Sequence, residues 1–151
     1  MLLNVMEYDR NRSAGSLAGE IARLYAAALQ TALQPLGLSR AQYLALSELW
    51  LADGLTQREL ADRLGVEQAT MANTLVRMER DGLIERKPNP DDGRSQLIWV
   101  TEAAHRLRAP ATAAAVQADD MVAAGLPPAE RELFFSMLAR VISNLRADRS
   151  S

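Results

Sequence analysis

Residues 55–81 read LTQRELADRLGVEQATMANTLVRMERD, and this segment carries the strongest structural signal of the chain. Thr56 followed by Glu59 forms a capping box, which satisfies free backbone amides at the start of a helix. Gly65 comes where a tight turn would end that short helix. A second helix is predicted over residues 67–81, with apolar residues at helical spacing at Met71, Leu75 and Met78. Two helices joined at a glycine turn predict a helix-turn-helix.

The spacing of apolar residues changes after this segment. Residues 83–87 (LIERK) predict one strand. Residues 96–100 (QLIWV) predict a second strand, because they contain the β-branched and aromatic side chains that strands favour. Residues 88–93 (PNPDDG) are dense in turn formers and predict a polar loop longer than two residues. Two helices followed by a hairpin are the order of a winged helix-turn-helix. In such a unit the second helix enters the major groove of DNA, while the hairpin reaches the neighbouring backbone or minor groove.

Two helices are predicted before this unit. Apolar residues recur every three or four positions over residues 13–34, which is typical of an amphipathic helix. Ser39 with Gln42 forms a second capping box, at the start of a helix that ends near Asp53. Residues 1–12 show no clear period and are interpreted as an arm.

Two further helices follow the hairpin. One is alanine-rich and runs from residue 101 to about residue 124, and Pro110 predicts a kink or break within it. The last spans about residues 129–147. The predicted fold is therefore mainly α with a small β-hairpin wing: a winged helix-turn-helix flanked by N- and C-terminal dimerisation helices. We expect one compact domain per subunit, comprising an arm and dimerisation helix (1–38), the DNA-binding region (39–100) and the C-terminal dimerisation helices (101–151).

The composition argues against several classes of function. The 151 residues include no cysteine, which excludes disulfides, thiol sensing and cysteine-based zinc sites. His105 is the single histidine, so a catalytic triad would have only one candidate base and a multi-histidine metal site is excluded. We expect no enzymatic activity, no cofactor and no metal. The chain also shows neither a secretory signal nor an apolar run long enough to span a bilayer, so we expect a cytoplasmic protein without membrane contact.

The net charge of −2 argues against a nucleic-acid partner. Residues 56–100 do not form a basic region either, since they contain seven basic and eight acidic side chains. Any DNA binding must therefore arise from how the charges are distributed over the folded surface.

The second helix of the predicted unit supplies candidate DNA contacts. Its side opposite the buried stripe carries short or forked hydrogen-bonding side chains and no carboxylate: Gln68, Thr70, Asn73, Thr74 and Arg77. A merely solvated polar face is the alternative. At the predicted wing tip, Arg94 is placed to enter a narrow groove, and Asp92 is a candidate to brace the loop by pairing with an arginine. Ordinary turn formation explains Asp92 as well.

The last helix predicts a partner subunit. It carries eight large apolar side chains within residues 133–145, and a helix that apolar is buried on more than one side. An entirely intrachain core is the alternative. The residues predicted to mediate dimerisation are Leu17, Leu24, Leu133, Phe134, Leu138, Val141 and Leu145.

Three motifs in this order resemble the multiple-antibiotic-resistance-regulator (MarR) family. They are LTQxELAxxL from Leu55, MERDGLIxR from Met78, and DGRS from Asp92 with VT at Val100. The similarity covers about residues 40–106, and the flanking helices agree with the family's layout. One departure follows Thr101, where the family often has glycine and this chain has Ala103 and Ala104.

The resemblance implies a homodimer that binds a pseudo-palindromic operator in double-stranded DNA, often repressing nearby genes and its own. It implies that Asp92 and Arg94 form the wing pair, with Arg94 in the minor groove. It also implies that a small, often phenolic, anion bound in a cleft between the dimer region and the winged domain releases the DNA.

Four residues are candidates for contact with such an effector. Tyr25 and Tyr43 would line a cleft beside the dimerisation helices, although core packing explains them equally well. Trp50 is explained more readily by packing, and His105 more readily as an ordinary surface histidine. The predicted function is a homodimeric transcriptional regulator that represses nearby genes, as the resemblance implies. The alternative is a winged-helix module that binds another protein and not DNA. The slight excess of acidic over basic residues favours this alternative, whereas the polar face from Gln68 to Arg77 argues against it.

Overall fold

The structure, a computed structural model, describes residues 8–149. Within that range it contains six α-helices and three short strands. Their bounds are α1 Ala14–Leu33, α2 Arg40–Leu51, β1 Leu55–Thr56, α3 Gln57–Leu64, α4 Gln68–Arg80, β2 Ile84–Pro88, β3 Gln96–Val100, α5 Glu102–Val122 and α6 Pro128–Asp148. This order confirms the predicted fold, mainly α with a β wing. Of the predicted arm, residues 1–7 lie outside the described residues.

Both predicted capping boxes are present. The Ser39 hydroxyl accepts a hydrogen bond from the Gln42 backbone N–H, and the Gln42 side chain accepts one from the Ser39 N–H, each 3.1 Å long. Thr56 and Glu59 make the same reciprocal pair at the start of α3, at 3.2 and 2.7 Å. Each N-cap contributes on the order of 1 kcal/mol to stability. Gly65 has a φ of +63° and ends α3, so the predicted turn between α3 and α4 is confirmed.

The sheet has three antiparallel strands in the order β1-β3-β2, one strand more than the predicted hairpin. The added strand β1 pairs Leu55 with Ile98, whose other neighbour is Arg86 on β2. Two residues are too few to show a period, so only the tertiary pairing identifies this strand. Gly54 precedes it with a φ of +75°, and a Cβ there would lie 2.7 Å from the Trp99 ring.

The core is formed by α1 to α4 and the sheet, together with the buried alanines of α5: Ala104, Ala111, Ala114 and Ala118. Its fully buried side chains include Leu33, Leu46, Leu49, Leu60, Leu75, Met78 and Ile98. Gln42 is a buried polar residue at 6% exposure, and its amide donates a 3.0 Å hydrogen bond to the Asp81 carboxylate. This bond connects the first turn of α2 to the end of α4.

Pro110 does not break α5, which runs without interruption from Glu102 to Val122. Of the predicted kink or break at this proline, the break is therefore wrong, and the kink stays a prediction. Pro110 is exposed, and solvent on that side of a helix can compensate for the missing amide donor.

The chain forms two compact units, one ending at Ala118 and one beginning at Asp119. In the second unit, the Arg131 guanidinium donates a 2.8 Å hydrogen bond to the Asp120 carboxylate, and the rings of Phe134 and Phe135 lie 5.6 Å apart. No residue of α6 is buried. Among the described helices, none has the length and apolar character that a bilayer span requires.

Candidate nucleic-acid interface

Helix α4 presents one buried and one exposed side. Met71, Leu75 and Met78 are buried, as predicted. Gln68, Thr70, Asn73 and Arg77 are exposed. Thr74 is half-buried, and its hydroxyl donates a 3.0 Å hydrogen bond to the carbonyl of Thr70 within the same helix. The helix therefore offers an exposed row of amide, hydroxyl and guanidinium groups of the kind that bind base edges and phosphates.

The start of α4 is joined to the start of α3. The Gln57 amide donates a 3.2 Å hydrogen bond to the side-chain oxygen of Gln68. This contact holds the Gln68 side chain toward the wing and orders it before any partner binds. Gln57 is absent from the predicted contacts, because nothing in its local sequence indicates that α3 and α4 bring these two glutamines together.

The wing loop is held by hydrogen bonds to its own backbone. The Asp92 carboxylate accepts a 3.0 Å hydrogen bond from the backbone N–H of Arg94. Asn89 closes the loop, since its N–H donates to the Ser95 carbonyl at 3.3 Å and its amide to the Ser95 hydroxyl at 3.0 Å. Asp92 thus braces the loop as a turn residue, through the Arg94 backbone rather than through a guanidinium. The Arg94 side chain is exposed.

A cleft of about 540 Å³ separates the wing from the starts of α3 and α4. Its lining is polar and includes three arginines: Arg58, Arg86 and Arg94. A second depression of about 500 Å³ lies between the wing and the end of α4, lined by Val76, Glu79, Arg80, Arg86 and Gln96. Arg58 and Arg86 are absent from the predicted contacts. Arg86 lies on β2 of the wing itself, and only the folded chain brings Arg58 of α3 to the same cleft.

Ion pairing sorts the arginines of this region into two groups. Arg86 pairs with Glu79 at 2.8 Å and Arg80 with Asp81 at 3.1 Å. Within the described residues, the charges of Arg58, Arg77 and Arg94 have no carboxylate partner at ion-pair distance. Within a region of nearly balanced charge, these three cations are therefore available to an anionic partner.

Asp81 is the carboxylate of this region whose ionisation is most clearly altered. The hydrogen bond from Arg80, and after it the hydrogen bond from Gln42, lower the pKa of Asp81 below its ordinary value of 3.8. Asp81 is therefore held as an anion at the end of α4, where it fixes Arg80 and Gln42.

The predicted effector residues do not all come together. Tyr25 and Tyr43 are half-buried against the core, and the Tyr43 ring meets the buried Trp50 ring edge-on, with centroids 6.3 Å apart. The indole N–H of Trp50 is buried without a hydrogen-bond acceptor. His105 is exposed on α5, with its Nε2 4.0 Å from the Asp53 carboxylate.

The predicted dimerisation residues leave apolar surface uncovered. On α1, Leu17 and Leu24 are exposed, the latter by 53%. On α6, Phe134 is half-buried, whereas the other predicted dimerisation residues are exposed, most of all Leu145 with 65% of its surface accessible. These exposed members are Leu133, Leu138, Val141 and Leu145.

Comparison with known proteins finds consistent matches. The sequence profile described as "MarR family" matches residues 36–95. The organic hydroperoxide resistance transcriptional regulator of Bacillus subtilis (strain 168) is 41% identical over 70 residues. That alignment covers 46% of this chain and 48%, about half, of the regulator.

Solved structures extend the similarity beyond the winged unit. A probable transcriptional regulator from Pseudomonas aeruginosa is 27% identical, with a TM-score of 0.81, and the match covers 88% of this chain and 99% of that one. The PcaV transcriptional regulator from Streptomyces coelicolor, solved in complex with its natural ligand, is 25% identical. It has a TM-score of 0.74 and covers 90% of this chain and 96% of its own.

Proposed function

We propose that this chain, whose residues 36–95 match the MarR family profile, is a member of that family and acts as a homodimeric transcriptional repressor that binds a pseudo-palindromic DNA operator. The observation that carries the proposal is the joint placement of α4 and the wing. A polar exposed face on α4 lies beside a hairpin whose loop arginine, Arg94, has no carboxylate partner at ion-pair distance within the described residues. A protein of this function acts in the cytoplasm, where the chromosome lies.

In the proposed complex, α4 enters the major groove. Asn73 is suited to bidentate contact with adenine, and Gln68 and Arg77 to base edges or phosphates. Thr70 and Thr74 contribute hydroxyls. Arg94 enters the minor groove, and Asp92 holds the backbone that carries it, as the 3.0 Å hydrogen bond supports.

Dimerisation would cover the apolar surfaces of α1 and α6. Large apolar side chains exposed in series mark association surfaces, because a monomer rarely exposes contiguous apolar area. Leu17, Leu24 and the four exposed α6 residues fit this role, with Phe134 packed beneath. A two-fold dimer would place the two copies of α4 about 34 Å apart, one turn of DNA.

We also propose release of DNA by a small aromatic anion. The likeness to a ligand-bound regulator supports this step, as does the buried indole N–H of Trp50, which a ligand oxygen would satisfy. Tyr43, whose ring meets that of Trp50, supplies aromatic and hydroxyl surface beside it, and Tyr25 is a further candidate contact. His105 is another candidate contact.

The test is selection of bound duplexes from a random pool, followed by titration at increasing salt. We expect enrichment of an inverted repeat with half-sites one helical turn apart, and affinity that falls steeply with salt. A folded protein that enriches no sequence and ignores duplex DNA at low ionic strength would refute the proposal and favour a protein-interaction module.

A further inference from the structure

The exposed side of α4 contains apolar as well as polar residues. At 100° per residue, the buried stripe around Leu75 leaves Ala69, Asn73 and Val76 on the opposite half of the helix. Val76 is 61% exposed, and Ala69 is exposed as well. Val76 also lines the depression between α4 and the wing. It therefore lies on the surface that the proposed function turns toward DNA.

The surroundings of Val76 restrict what can cover it. On α6, exposed apolar residues form a long series, whereas on α4 Val76 is bordered by polar and charged residues. These are Asn73, Arg77, Arg80 and Glu79, and the Glu79 carboxylate is paired with Arg86 at 2.8 Å. One valine and one alanine are far too small for a stable protein interface, which takes about 800 Å² from each partner. In the proposed complex with DNA, the group that meets Val76 is therefore a small apolar group within an anionic, hydrogen-bonding surface.

The major groove offers one such group, the C5-methyl of thymine. We propose that Val76, supported by Ala69, is a specificity-determining residue that contacts thymine methyl groups in each half-site. Asn73 and Val76 are three residues apart, so they are neighbours on the helix surface, about 4.5 Å apart along its axis. The contacted thymine then lies within one or two base pairs of the adenine bound by Asn73. The inference rests on the proposed function and deepens it.

The experiment removes single methyl groups from the DNA. Thymines of the selected operator are replaced one at a time, symmetrically in both half-sites, by deoxyuridine, and affinities are measured for the wild type and for Val76→Ala. We expect one replacement to weaken wild-type binding about fourfold per methyl, or about 16-fold for the symmetric pair. The same replacement should leave the affinity of Val76→Ala unchanged within about twofold.

Val116→Ala is the matched control, since Val116 is a half-exposed valine on α5, outside the winged unit. Because α5 belongs to the predicted dimerisation region, the readout is the ratio of affinities for the thymine and deoxyuridine duplexes, which a change in dimerisation does not alter. Replacement of thymine by deoxyuridine should weaken the binding of Val116→Ala as much as it weakens the binding of the wild type. Circular dichroism should show that both variants are folded. If the pool yields no enriched sequence, the proposed function and this inference both fail. If an operator is found and each deoxyuridine replacement affects the wild type and Val76→Ala equally, this inference alone is overturned.

Discussion

The side-chain amide of Gln42 donates a 3.0 Å hydrogen bond to the carboxylate of Asp81, 39 residues further along the chain. Gln42 also accepts the Ser39 N–H, so one buried side chain caps α2 and holds the end of α4. The orientation of the proposed recognition helix therefore depends on the start of α2. An unsatisfied buried amide costs about 1–3 kcal/mol, which makes alternative orientations of α4 unfavourable.

The Asp81 contact predicts a specific acid sensitivity. Because the pKa of Asp81 is lowered in the folded state, its contribution to the free energy of unfolding is fully present above its ordinary value of 3.8 and is lost as the pH falls through the lowered pKa. Asp81→Asn keeps an oxygen for Gln42 and removes the charge. We expect its stability to fall less than that of the wild type between about pH 5 and about pH 2 in urea titrations.

Asp62→Asn is the control, since Asp62 is an exposed carboxylate on α3. The free energy of unfolding of Asp62→Asn should fall in acid as much as that of the wild type. Parallel declines for the wild type and Asp81→Asn would contradict the role given to Asp81.

Arg94→Ala should weaken operator binding while leaving the dimer intact. The guanidinium is exposed at the wing tip, and its loss removes one phosphate or groove contact per protomer. We expect the slope of log affinity against log salt to become shallower by about 2 for the dimer. Arg106→Ala, an exposed arginine on α5, is the matched control. A folded Arg94→Ala dimer with wild-type affinity and slope would exclude the wing contact.

Substitution of Asn73 should change sequence preference, whereas substitution of Arg77 should change overall affinity for DNA. Asn73→Ala should relax sequence preference at one base pair per half-site, by about 1–3 kcal/mol of discrimination, because a bidentate contact with adenine is lost. Arg77→Ala should weaken binding to specific and random duplexes alike if it contacts phosphate. Repeating the selection with each variant measures both effects. A uniform loss for Asn73→Ala would show that this residue contacts only phosphate.

Leu145→Glu should shift the protein toward monomers. Leu145 is 65% exposed on α6, and a buried, unpaired carboxylate in the proposed interface would be strongly unfavourable. Leu51→Glu is the matched control, since Leu51 is 77% exposed at the end of α2. Sedimentation velocity should find Leu51→Glu dimeric and Leu145→Glu monomeric, with operator binding lost in the latter. A dimeric Leu145→Glu would place the interface elsewhere.

Some features of the site were predictable because their interactions are local. Both capping boxes join residues three positions apart, and the buried stripe of α4 follows from the period of the helix. The turn-forming residues before Arg94 likewise predict the wing loop. The free cations were not predictable, because the pairing of Arg86 with Glu79 connects a strand to a helix seven residues earlier in the chain.

Local propensity and spacing were thus sufficient for the order of the helices, the turn at Gly65 and the hairpin, since a cap, a turn or an amphipathic period involves neighbours in the chain. Only the tertiary structure decided that Leu55 joins the sheet through Ile98, that α5 continues past Pro110, and that Gln42 holds Asp81 at the end of α4. It alone left Val76 uncovered beside the wing. These outcomes depend on which groups meet across the fold and which side of an element faces solvent. Residue type and spacing do not specify either.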